Sequence, residues 1–230
     1  MNNTESLITA VERHPKKAGR YLIYLDGQHA LTVYEDVLIK HRLMKGELVE
    51  EEKLRRVLED EEQQKAWSDA LKHVGRRPRS EKEVRQFLKR KQYAEPLADR
   101  IILRLKEQRY LDDADFAALW TEQRIYSQKK GSRWVKQELQ QKGVAPATIQ
   151  EALDQVPPDE EERICFELGL KKWKLTSGTS QDKRRKTAAF LMRRGYSPSI
   201  VGKAVRRIVD ATADEDEYSE DSEIWEWPDE

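Results

Sequence analysis

Sulfur, glycine patterns and long apolar runs are all scarce in this 230-residue chain. Its single cysteine, Cys165, excludes an internal disulfide framework and a cysteine-cluster zinc site, and points to a reducing compartment. No stretch approaches the roughly 18 apolar residues that span a bilayer, and no apolar segment follows Met1 as a secretory leader would. Phosphate-cradling patterns of the GxxxxGK[ST] or GxGxxG kind are missing. His14, His29, His41 and His73 are scattered, without the i, i+4 spacing of an HExxH metal site. Asp112 and Asp113 are adjacent and so do not share a helix face, which suits capping better than acid–base work. Cys165 lies between Ile164 and Phe166 and reads as packed, not reactive. These absences lead to the expectation of a soluble, cytoplasmic monomer that is not an enzyme and needs no metal or cofactor.

What the chain has in excess is charge. Asp, Glu, Lys and Arg make up 37% of it, and mean hydropathy is −0.91. The 43 basic and 43 acidic residues cancel, but not locally. Residues 171–209 hold 12 bases and one acid, Asp182, whereas residues 210–230 hold 11 acids and no Lys or Arg. A block of +11 is therefore followed directly by one of −11. Charge segregated in this way is a statement about partners, polyanions first.

The first 50 residues read as a small β unit. β-Prone runs at residues 21–25 and 29–34 flank Asp26-Gly27-Gln28, a hairpin signal because a type I′ turn needs positive φ. Residues 7–11 offer a third strand, and residues 35–41 a short helix. From about Leu48 onward the apolar spacing is helical. Val84, Leu88 and Tyr93 match Val135, Leu139 and Val144, and Leu191 and Tyr196 repeat the second half, at offsets of 51 and 52 residues. Further helices are expected near residues 62–74, 113–126 and 160–170. Ser80 with Glu83 forms a capping box, and Asp112 or Asp113, Asp182 and Ser197 fit other helix starts. The expected fold is all-α: three tandem three-helix repeats in an elongated array (51–110, 111–157 and 158–209), after an N-terminal hairpin unit (1–50) and before a disordered acidic tail (210–230).

On a helix, Lys183, Lys186, Phe190, Arg193 and Arg194 share one side, leaving Ala188, Leu191 and Met192 as the core side. Lys171, Lys172, Trp173 and Lys174 extend this pattern. Cations interleaved with aromatics suit a phosphate backbone and unstacked bases, and equally suit an acidic protein groove. A second cluster includes Arg76, Arg77, Arg79, Lys89 and Arg90, with Phe87 in the position of Phe190. The middle repeat has Glu138 there and contributes Lys130 and Arg133, so polyanion contact is expected mainly from the two end repeats. Trp67, Trp120, Trp134 and Trp173 are expected mostly in the core. In the tail, Glu223, Trp225, Glu226 and Trp227 form a candidate autoinhibitory or docking segment that would compete for the basic face.

Several of these residues carry a resemblance. Tyr110-Leu111-Asp112-Asp113 with Phe116, followed by Lys130-Gly131, Trp134-Val135, Glu138-Leu139 and Lys142-Gly143, resembles the central signature of the RecX family of recombinase regulators. Arg77, Pro78, Arg79 and Ser80 through Val84 resemble that family's first repeat, and residues 33–41 with Lys45-Gly46 its N-terminal segment. The resemblance implies a non-enzymatic modulator of RecA, tied to recombination, DNA repair and the SOS response. Such a protein lies in the groove of the RecA–single-stranded DNA filament, limits its growth, and damps ATP hydrolysis, strand exchange and co-protease activity. It also implies weak, salt-sensitive contact with single-stranded DNA, and leaves duplex DNA open. The third repeat is more basic than the resemblance leads one to expect, and the tail has no counterpart. Two other readings stay open: a stand-alone DNA-binding protein whose two-helix turns act as helix-turn-helix readers, and a helical scaffold for some other protein.

Overall fold

The computed structural model describes residues 5–220, with side-chain surroundings described through Thr212. The chain forms two compact units. The first holds residues 5–79 and Glu83–Leu111; the second holds Ser80–Lys82 and the chain from Asp112 onward.

In the first unit, strands β1 (Glu5–Arg13), β2 (Arg20–Leu25), β3 (Gln28–Tyr34) and β4 (Leu48–Glu50) form an antiparallel sheet of order β3-β2-β1-β4. The expected hairpin is present: Asp26 and Gly27 take φ of 49° and 84°, the two positive dihedrals of a type I′ turn. The fourth strand was not anticipated. Helix α1 (Glu35–Lys40) follows β3, and α2 runs Glu51–Val74, starting eleven residues before the helix expected near residues 62–74. That added length has a role. Leu54 and Val57 of α2 close the sheet's core of Ile8, Ile23, Val33, Val37, Leu43 and Val49. The other end of α2 places Ala66, Trp67 and Ala70 against α3 (Glu81–Arg90) and α4 (Glu95–Glu107). One helix thus supports two cores, and a sheet too small to stand alone gains its apolar cover.

The second unit contains α5 (Asp113–Glu122), a π turn at Gln123–Ser127, α6 (Ser132–Gln141) and α7 (Pro146–Asp154) around Phe116, Ile125, Val135, Leu139 and Ile149. After these come α8 (Pro158–Lys174), α9 (Ser180–Arg193) and α10 (Pro198–Glu220), around Cys165, Leu191, Tyr196, Val201 and Ala204. Asp112 caps α5, its carboxylate accepting from the Ala114 amide at 2.7 Å. Ser197 caps α10 through the Ile200 amide. At α9 the cap is Thr179, not Asp182: the Thr179 hydroxyl accepts from the Asp182 amide and donates to its carboxylate at 3.0 Å. Helix α10 continues past Asp210 into the acidic segment.

The second helix of each repeat carries the same buried pair: Val84 and Leu88, Val135 and Leu139, Thr187 and Leu191, all at 0% exposure. Two bonds also recur where that helix begins. The Glu81 amide donates to Asp113 Oδ1 and the Ser132 amide to Glu161 Oε1, each at 2.8 Å. The Ser80 hydroxyl donates to the Lys142 carbonyl at 2.8 Å, and the Gly131 amide to the Arg194 carbonyl at 2.9 Å. An acid from one repeat thus satisfies an orphan amide of the helix before it, and a helix-turn carbonyl accepts beside it. Gly195 makes this approach possible: at φ +90° it lies where a Cβ would come within 2.4 Å of Trp134 Cβ.

Candidate nucleic-acid interface

Among the residues expected to bind, Arg76 and Arg77 are exposed in the turn after α2, Lys89 and Arg90 are exposed at the end of α3, and Arg79 is part-buried. Arg77, Arg79 and Arg90 act on a pair of rings: His73 of α2 stacks on Phe87 of α3 with centroids 4.0 Å apart and planes 4° from parallel. Burial, then the guanidiniums of Arg79, Arg77 and Arg90, hold His73 below the usual imidazole range, so it is neutral at neutral pH. Burial and the neighbouring Arg77 likewise lower the pKa of Arg79, which stays charged, and Arg79 Nε is buried without a hydrogen-bond partner among the described residues. Glu83 is the acid in this group, paired with Arg77 at 3.0 Å. Mutually repelling cations held this close favour an incoming anion.

In the third repeat the structure brings three of the expected cations, Lys172, Lys183 and Arg194, over two rings. Lys172 Nζ and the Arg194 guanidinium lie 5.8 Å and 5.4 Å from the Phe190 ring, and Lys183 Nζ lies 5.7 Å from Trp173. Lys186 reaches the Ser177 carbonyl at 3.3 Å, while Lys171, Lys174 and Arg193 are exposed. Two details differ from the expected helix sides. Met192 is 42% exposed instead of buried, and Phe190 packs partly into the core, because the buried line of α9 runs through Thr187 and Leu191. Arg194 is also tied inward, donating to the Gln128 carbonyl at 2.8 Å.

The middle repeat holds what the sequence did not disclose. Glu138, the residue that stands in place of a phenylalanine, accepts from three donors. Its Oε2 takes Trp120 Nε1 at 2.8 Å and Arg124 Nε at 2.6 Å, and its Oε1 takes Trp134 Nε1 at 2.9 Å. Burial raises its pKa, but the bonds from Arg124, Trp134 and Trp120 outweigh that and hold it below the usual carboxylate range. Both indoles are part-buried, unlike Trp67 and Trp173 at 6% exposure. Arg124 and Lys142 lie 3.8 Å and 4.1 Å from the Trp120 ring, and Lys130 Nζ lies 3.7 Å from Trp134. Arg133 is exposed nearby in sequence, its amide donating to the Gly195 carbonyl at 3.2 Å.

His73, Trp120, Arg124, Trp134 and Lys142 belong to these arrangements without having been singled out as binding residues in the sequence, where Lys91 read as one of the first repeat's basic cluster. One signal could have found part of this set. Lys91, Lys142 and Arg194 share the repeat's spacing, and each lies over an aromatic ring: Phe87 at 5.9 Å, Trp120 and Phe190. Cys165 is fully buried, and burial pushes its thiol up to about 12, so it is packed and unreactive. No described helix is long and apolar enough to cross a membrane. Glu223, Trp225, Glu226 and Trp227 lie outside the described residues.

Tandem three-helix units, each closing its second helix with a cation over an aromatic ring, define a helical-repeat protein with basic faces. The comparisons with known proteins divide the chain in the same way. It matches the family models described as the Regulatory protein RecX N-terminal domain over residues 6–50 and the first, second and third three-helix domains of RecX over 66–105, 112–153 and 159–205. It is 34% identical to the regulatory protein RecX of Halalkalibacterium halodurans, covering 93% of this chain and 82% of that one. To the Clostridium acetobutylicum protein of the same name it is 30% identical, covering 89% and 97%. A crystal structure of regulatory protein RecX superposes with a TM-score of 0.69 at 31% identity over 85% of this chain and 96% of that one. RecX from Lactobacillus salivarius, at 20% identity and a TM-score of 0.60 over 64% and 96%, shares the fold. The chain belongs to the RecX family of regulatory proteins.

Proposed function

We propose that this protein regulates recombination and DNA repair by binding the RecA–single-stranded DNA filament. There it limits filament growth and lowers RecA's ATPase, strand-exchange and co-protease activities. Membership of a regulatory family supports the partner. The observation that carries the mode of binding is the recurrence, in all three repeats, of a cation over an aromatic ring at the end of the second helix. Cations supply affinity for a phosphate backbone without reading its sequence, as a regulator acting on any single-stranded stretch requires. No catalytic step is assigned, since the basic faces suffice for a role of this kind. The contact set proposed comprises the Arg76–Arg79 turn with Lys89 and Arg90, then Lys130 and Arg133, then Lys171, Lys172, Lys174, Lys183, Lys186 and Arg193, with Phe190 and Arg194 supporting them.

The test is the triple variant Lys183→Glu, Lys186→Glu and Arg193→Glu, cross-linked or co-sedimented with RecA filaments on single-stranded DNA. The three positions are not among the core residues, and the reading predicts at least a tenfold loss of filament association with folding retained. Undiminished association would show that the third-repeat face is not the contact. Tight, sequence-specific duplex binding without any effect on RecA would favour the helix-turn-helix alternative instead.

A further inference from the structure

Trp134 is placed unlike a core tryptophan. It projects from the first turn of α6, next to the helix start, and is not among the side chains packed on the core of its repeat, where Trp120 is. Its ring plane is nonetheless fixed. Nε1–H is held by Glu138 Oε1 at 2.9 Å, and the same carboxylate is anchored by Trp120 and Arg124. Its backbone is pressed against Gly195, closely enough that no side chain fits there. The ring is therefore held at its Nε1 edge and at its backbone, and Lys130 Nζ rests 3.7 Å from its centroid.

An aromatic ring with a fixed plane, part-exposed and capped by a cation on a flexible stem, has the elements of a stacking site for an unpaired base. The Lys130 stem can swing from the ring to a phosphate as a base takes its place, exchanging a cation–π contact for an ion pair. Arg133, exposed one residue before Trp134, adds a second cation for the same backbone. The acid in the middle of this arrangement is engaged by three donors and its charge is balanced by Arg124, which limits its repulsion of a polyanion. An acidic peptide would use the same cations but lacks the regularly spaced aromatic bases that stack on such a ring.

We propose that Trp134 is a base-stacking platform for single-stranded nucleic acid, with Lys130 and Arg133 taking the flanking phosphates and Glu138 acting as the positioning residue. This rests on the nucleic-acid reading above and deepens it: the middle repeat contacts the strand through its bases instead of serving only as a spacer between basic ends.

The experiment compares a short oligothymidylate with an abasic strand of equal length, at fixed salt, by fluorescence anisotropy. Wild-type protein is expected to bind the strand with bases about tenfold or more tighter than the abasic one, the range of one stacked base. Trp134→Leu should lose that preference while binding the abasic strand as the wild type does. Trp134→Phe, which keeps a ring but loses the Nε1–H that Glu138 holds, should restore part of it. Lys130→Ala should weaken both strands and lower the salt slope by about 0.7, one phosphate contact on a single strand. If Trp134→Leu weakens both strands equally, or neither, the platform is refuted while nucleic-acid binding stands. If the wild-type protein binds polyglutamate but neither strand, the nucleic-acid reading itself is refuted together with the platform.

Discussion

Thr187 is fully buried where the first two repeats have Val84 and Val135, and its Oγ1 has no hydrogen-bond partner among the described residues. A buried hydroxyl without a partner is unfavourable, and valine has nearly its shape. Thr187→Val is expected to stabilise the protein by about 1–2 kcal/mol, read from the urea midpoint at unchanged slope. This substitution also explains why only half of the repeat pattern could be found in α9: a polar residue interrupts the apolar stripe that marks α3 and α6. Glu138 has the opposite character, a charge with its partners supplied. Because its folded pKa is depressed, its contribution is fully present above the unfolded carboxylate range and is lost as pH falls through the folded value. Glu138→Gln should therefore cost about 1–2 kcal/mol at pH 7, and the gap to wild type should narrow below about pH 4.5. A gap independent of pH would mean that the charge is not what matters there. Only one of Glu138's three donors, Trp134, is local to it. Its donors Trp120 and Trp134 are 18 and 4 residues away, and pattern reading assigned the indoles to the core.

At the scale of elements, the starts of α3 and α6 depend on acids supplied by the following repeat. The Asp113 and Glu161 carboxylates accept from the Glu81 and Ser132 amides across 32 and 29 residues of sequence. Glu161→Ala removes a charged acceptor from a helix N-terminus and should lower stability by about 1 kcal/mol, with Asp113→Ala doing the same at α3. Thermal or urea unfolding of each variant checks this; no change in either would mean the amides are satisfied in other ways. Helix identity was legible in the sequence because the Val84–Leu88 and Val135–Leu139 pairs repeat at one spacing. The hairpin was legible because Asp26-Gly27 is a local signal. The Asp112 and Ser197 caps were legible because each holds an amide two or three residues on; the acids at the starts of α3 and α6 were not, since each joins residues from separate repeats, and at α9 Asp182 was named where Thr179 is the cap. β4 escaped because three residues, Leu48–Glu50, are too few to alternate. The first turns of α2 escaped because their charged run (Glu51, Glu52, Lys53, Arg55, Arg56) masks the Leu54 and Val57 that face the sheet.

At the scale of the molecule, a basic block of +11 precedes an acidic one of −11. If residues 210–230 compete for the basic faces, deleting them should tighten single-stranded DNA binding several-fold at low salt, with the difference shrinking as salt screens the charges. Unchanged or weaker binding after deletion would set the competition aside. The account as a whole rests on RecA being the partner. RecA's DNA-dependent ATPase, measured with this protein at ratios well below one per RecA protomer, addresses that claim most directly. Inhibition at those ratios, alongside weak and salt-sensitive binding to DNA alone, is the predicted result. An unchanged ATPase rate at equimolar protein would contradict the account.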